Sequence, residues 1–65
     1  MIITLNGKEK EVNPGTTVAD LVKLLNLMPP LAVELNRKVC PKKLYEQTTL
    51  NDGDNLEIVT IVGGG

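Results

Sequence analysis

Sixty-five residues with 42% hydrophobic content and a net charge of −1 make one domain near the lower limit of independent folding, burying about 60% of the surface its unfolded chain exposes. His, Phe and Trp are absent and Cys40 is the only cysteine, so a Cys/His catalytic pair, a typical zinc site and an internal disulfide cannot be built. The two signs of charge are scattered along the chain, without the basic excess that nucleic acid or a membrane surface requires.

Ile2 to Leu5 reads as a strand and Glu9 to Asn13 as its partner. The Asn6-Gly7 pair between them supplies the positive φ angles of a tight hairpin. With Ile3 and Leu5 facing inward, Val12 meets them from the second strand. Lys8 to Glu11 form a solvated hairpin end. The opening Met1-Ile2-Ile3-Thr4-Leu5 alternates, and turns too soon, for a targeting segment; no apolar run is long enough to span a bilayer. Together with the lone cysteine, this leads to the expectation of a cytoplasmic protein with no membrane partner.

Pro14-Gly15 leads into a helix. Thr17 caps its first turn and Asp20 sits three residues later, a relative of the capping box with Asp in place of Glu. Val18, Leu21, Val22 and Leu25 follow the spacing of one buried face, and Lys23 points to water. The helix is expected to end near Asn26, since Pro29-Pro30 cannot continue it.

Leu31 to Leu35 is a third strand with Leu31, Val33 and Leu35 on one side. Asn36-Arg37-Lys38 turns into a very short fourth strand, Val39-Cys40, stopped by Pro41. Lys42 to Gln47 make a single helical turn in which Leu44 or Tyr45 covers the core. Leu50 anchors the loop before the turn Asn51-Asp52-Gly53-Asp54. The last strand runs from about Leu56 to Ile61. It is the longest and most hydrophobic, which places it centrally, between the first and third strands. One helix then covers one face of a mixed sheet of four to five strands, an α+β arrangement.

Gly63-Gly64-Gly65 follow directly on the strand-forming run Leu56 to Val62. Three glycines bury no side chain and have maximal backbone freedom to lose, so they stabilise nothing in a fold. Two readings stand: a frayed or added end, or a flexible C-terminal carboxylate offered as a reactant. The domain is taken as residues 1–62 and the tail as 63–65. From Val62 to Gly65 the tail reaches about 14 Å when extended, at roughly 3.5 Å per residue.

Gly15 to Leu21, Val33 to Pro41, Leu50 to Val59 and the glycine end, in this order and at this length, resemble the ubiquitin-like β-grasp sulfur carriers. The ThiS family of thiamin thiazole biosynthesis is the nearest, and the resemblance runs from Met1 to Gly65. Cys40 replaces a more usual aliphatic residue, Tyr45 stands where Trp is common, and Gly63 extends the usual glycine pair. The resemblance implies a carrier, not an enzyme. A ThiF-like activating enzyme adenylates the Gly65 carboxylate with ATP and Mg²⁺, and a persulfide donor replaces AMP to leave a thiocarboxylate. A ThiG-like thiazole synthase then receives the sulfur. The carrier itself binds no cofactor or metal. Gly64 is the essential neighbour of the reacting Gly65, and Val59, Ile61, Val62 and Gly63 are expected to face a partner, because the outer sheet face has no second layer.

Other features have quieter readings. Arg37, Lys38, Lys42 and Lys43 form a solvated cluster; without interleaved aromatics they do not support nucleic-acid binding. Asp52-Gly53-Asp54 reads as a turn with Gly at positive φ, well short of a calcium loop. Cys40 reads as a small, partly buried apolar residue instead of a sulfur-relay thiol. Alternatives at the level of function are a sulfur carrier for molybdopterin or tRNA thiolation, a protein modifier joined to lysine through Gly65, and a binding module with an inert tail.

Overall fold

The computed structural model describes residues 1–26 and 31–60. Among these described residues, five strands and one helix appear in the order β1 (Ile2–Leu5), β2 (Lys8–Glu11), α1 (Val18–Leu25), β3 (Leu31–Leu35), β4 (Lys38–Val39) and β5 (Asn55–Thr60), with a 3₁₀ turn at Lys42–Leu44 after β4. The sheet order is β2-β1-β5-β3-β4, so the expected central position of the last strand is borne out. β5 runs parallel to β1 and antiparallel to β3. This is the mixed, helix-covered α+β sheet of a β-grasp.

Local chemistry accounts for each junction. Asn6 and Gly7 adopt φ of 51° and 82°, the pair of left-handed residues that a two-residue hairpin turn needs to match strand twist. Asn36 and Arg37 repeat the device between β3 and β4 at 52° and 70°. Thr17 caps α1 by a full capping box: its side chain accepts from the Asp20 N–H and its own N–H donates to the Asp20 carboxylate. At the other end Asn26 takes the left-handed cap conformation, which relieves the last carbonyls without a glycine.

The core is one aliphatic cluster. Val18 and Leu21 of α1 pack with Ile3, Val33, Leu56 and Ile58 of the sheet, and Val12, Cys40 and Leu50 close the periphery. Alternation along β5 is strict: Leu56 and Ile58 are buried and Glu57 and Val59 exposed. Tyr45 packs against the cluster while Leu44 stays exposed, so of the two candidates Tyr45 is the cover.

Two strands differ in their bounds from expectation. β2 spans Lys8–Glu11 instead of Glu9–Asn13, because hairpin pairing starts right after Gly7, with Leu5 opposite Lys8. Val12 still joins the core, its N–H donating to the Met1 carbonyl at 2.9 Å. β4 ends at Val39, although the Cys40 N–H still reaches the Val33 carbonyl at 2.8 Å. Pro41 then has no N–H to give.

Candidate functional site

β5 is the element on which the candidate site is built. Both its backbone edges are occupied, by β1 and β3, over its first residues. The β1 ladder is short, covering Asn55 and Leu56, and would leave the edge of β5 unpaired beyond it. Asn6 fills that gap with its side chain. Its Oδ1 accepts from the Ile58 N–H at 2.9 Å and its Nδ2 donates to the Ile58 carbonyl at 3.1 Å. The amide thus imitates one more residue of strand and holds the last stretch of β5 in line. On the other edge the ladder to β3 continues as far as Thr60 opposite Leu31.

A second network fixes where β5 begins. The Asp54 carboxylate, nearly buried, accepts from the Asn51 N–H at 2.6 Å and from the Asn36 side chain at 3.0 Å. Asn36 in turn accepts from the Asn55 N–H at 2.9 Å. Asp52 accepts from the Ile2 N–H at 2.7 Å. Both carboxylates of the Asp52-Gly53-Asp54 turn are therefore engaged by amides, with Gly53 at φ +86°, as the turn reading requires. Among the described residues no group of three His, Cys, Asp or Glu side chains is placed to hold a metal.

Val59 lies on the sheet face opposite α1 and is 54% exposed. It shares that face with Ile2, 42% exposed, and Val39, 74% exposed, which follow from the ladder register. Ile61, Val62, Gly63, Gly64 and Gly65, the rest of the expected site, lie outside the described residues. Where β5 reaches Thr60, an open recess of about 680 Å³ is lined by Leu5, Asn6, Lys8, Leu25 and Ile58 among others. A second recess, about 620 Å³, lies in the helix layer, where Lys23, Lys42 and Lys43 surround Tyr45. Arg37, Lys38, Lys42 and Lys43 are all exposed, in keeping with a solvated cluster.

Cys40 is buried, its Sγ 3.8 Å from the Thr48 hydroxyl and 3.9 Å from the Pro41 carbonyl. It fills core volume. Among the described residues, two titrating groups depart from ordinary behaviour. Burial raises the Tyr45 phenol, with the nearby Cys40 adding to the effect. Asp20 is lowered by the Thr17 backbone and side-chain hydrogen bonds, with Lys23 assisting against a small burial penalty. Neither faces Val59.

Sequence reading missed the Asn6 bracket, the Asn36–Asp54–Asn55 network and the cross-strand partners on the outer face. Only the turn signals at Asn6-Gly7, Asn36-Arg37-Lys38 and Asn51-Asp52-Gly53-Asp54 touched any of them.

Comparison with known proteins gives a consistent result. The family model described as the ThiS family matches residues 3–65. A crystal structure of a thiamine biosynthesis protein (ThiS) from Geobacter metallireducens superposes with a TM-score of 0.84 at 33% identity, with 100% of both chains covered. The sulfur carrier protein ThiS of Bacillus subtilis is 36% identical over 66 residues, covering 98% of this chain and 100% of that protein. A thiazole synthase of Paramagnetospirillum magneticum is 41% identical over 66 residues. That match takes in 100% of this chain, which spans only 20% of the synthase's length.

Proposed function

The chain belongs to the ThiS family, and we propose that it is a sulfur carrier of thiamin biosynthesis whose reacting group is the carboxylate of Gly65. The observation that carries this reading is the construction of β5. The central strand is held at both edges as far as Ile58 by Asn6 and β3, and it leads in sequence to three glycines. A rigid body that continues into residues without Cβ suits delivery of an acyl group into a narrow site on another protein.

The chemistry needs three steps on the carrier. A carboxylate anion is a poor electrophile. On a ThiF-like activating enzyme its oxygen attacks the α-phosphorus of ATP, Mg²⁺ offsets the polyphosphate charge, and pyrophosphate leaves. The mixed anhydride is reactive enough for the terminal sulfur of a persulfide to attack the acyl carbon and expel AMP. A second thiol then cleaves the acyl disulfide, leaving the thiocarboxylate. The enzyme's site has to exclude water, or the anhydride hydrolyses. Gly64 and Gly63 give the passage its slimness, and Val59, Ile61 and Val62 provide apolar contact outside it.

The acceptor in this reading is a ThiG-like thiazole synthase. A stretch of a thiazole synthase similar to this whole chain supports a carrier and a synthase acting side by side. The protein carries no resident cofactor in this scheme and acts as a co-substrate in the cytoplasm. Carrier-dependent ATP–pyrophosphate exchange by the activating enzyme tests the first step. Exchange should appear with the full chain and vanish when Gly64 and Gly65 are deleted. Exchange that survives the deletion would point to a binding module with an inert tail, and lysine adducts in place of sulfur transfer would point to a protein modifier.

A further inference from the structure

The strands of this protein sort their charges by sign. Lys8, Lys10 and Lys38 stand opposite Leu5, Ile3 and Leu35 in the ladders, residues that pack on the helix side. Glu9, Glu11, Glu34 and Glu57 stand opposite Thr4, Ile2, Val39 and one another, on the side away from the helix. Among the described strand residues no lysine or arginine shares that outer face.

Glu34 and Glu57 are direct partners in the β3–β5 ladder, and both are exposed. Like charges directly opposite each other destabilise a sheet. The next pair along the same ladder is Ala32 with Val59, so the two carboxylates border the exposed apolar step on the strand that leads to the glycines. A cationic surface seated here would relieve the repulsion and cover the valine at once.

We propose that this face docks on the activating enzyme and that the enzyme's contact surface presents Lys or Arg side chains to Glu34 and Glu57. The inference rests on the sulfur-carrier reading above and gives its partner surface a sign of charge. An enzyme that holds a nucleoside triphosphate surrounds the polyphosphate with positive potential. The same field draws an acidic face toward it and orients the incoming molecule. Glu34 and Glu57 steer the approach, while Val59 and Ala32 supply contact area.

The test measures binding of the full chain to its cognate activating enzyme by titration calorimetry, at low and at high ionic strength, together with melting temperatures and sulfur uptake by intact mass. For Glu57→Lys the expected loss of affinity at low salt is about tenfold or more, with a melting temperature no lower than that of the parent. Glu34→Gln, which only removes a charge, should lose less affinity, and its binding should depend less on salt than the parent's. Unchanged low-salt affinity in both variants, or parental binding indifferent to salt, overturns the proposal. So does salt-sensitive self-association of the parent abolished by both variants, which would make a second copy the occupant. Salt-dependent parental binding without sulfur uptake defeats the carrier reading and leaves the docking surface standing. Sulfur uptake with equal affinities in parent and variants defeats the docking surface alone.

Discussion

The side-chain amide of Asn6 makes both hydrogen bonds of a strand residue to Ile58, 52 positions away in sequence. A turn residue chosen for its left-handed φ of 51° also serves as the clamp on the central strand, one residue before Val59. Replacing it with Ala strands the Ile58 N–H and carbonyl and puts a Cβ residue with poor tolerance for this conformation into the turn. The expected loss is about 1–3 kcal/mol, or at least about 4 °C in melting temperature for a domain of this size. Asn6→Asp keeps the acceptor and loses the donor, so it should fall between the two. Hydrogen exchange at the Ile58 amide reports the clamp directly and should rise most in the Ala variant.

Arg37 occupies φ 70° in the β3–β4 turn, where a side chain is strained and glycine is not. Arg37→Gly is therefore expected to stabilise the domain, by about 1 kcal/mol. Thermal denaturation checks it; a destabilised variant would mean that the guanidinium makes a compensating contact.

The capping box gives a prediction with a pH signature. Thr17→Ala removes a side-chain acceptor from the Asp20 N–H and should cost about 1 kcal/mol. Asp20 is lowered by its bonds to Thr17, so its contribution is complete above the unfolded carboxylate value of about 4 and fades as pH falls through the folded one. Asp20→Asn should accordingly be less stable than the parent near neutrality and converge with it on acidification. Denaturant titrations at a series of pH values follow the convergence; a gap that widens in acid would contradict the sign.

Cys40 fills core space next to Thr48 and Pro41. Cys40→Ala should lose about 1 kcal/mol of packing and still accept sulfur at the parental rate. A folded Cys40→Ala protein that no longer accepts sulfur would give the thiol a chemical part.

Val59→Ser removes an apolar contact from an exposed position. It should leave stability within about 1 kcal/mol and raise the KM for the carrier in the adenylation reaction. An unchanged KM would remove Val59 from the partner surface.

Much of the architecture was legible because short-range chemistry marked it. The Thr17–Asp20 spacing, the helical period of Val18, Leu21, Val22 and Leu25, and the turn glycines each specify their own element without outside help. The hydrophobicity of residues 56–61 located the central strand. The start of β2 was misjudged because Lys8-Glu9-Lys10-Glu11 carries no apolar alternation to locate it. Side-chain bonds such as Asn6 to Ile58 are invisible until distant segments are brought together. The pairing of Glu34 with Glu57 depends on register, which a one-residue slip would reverse. In the expected site, Val59 took its predicted place on the open face, while Ile61 to Gly65 fall beyond the described residues.

Intact mass spectrometry of the protein after incubation with ATP, Mg²⁺, the activating enzyme and a persulfide donor goes most directly to the central claim. The account predicts a gain equal to exchange of one oxygen for sulfur, confined to the C-terminal peptide and dependent on ATP. An unaltered C-terminal peptide under conditions in which the same enzyme charges another carrier would contradict it.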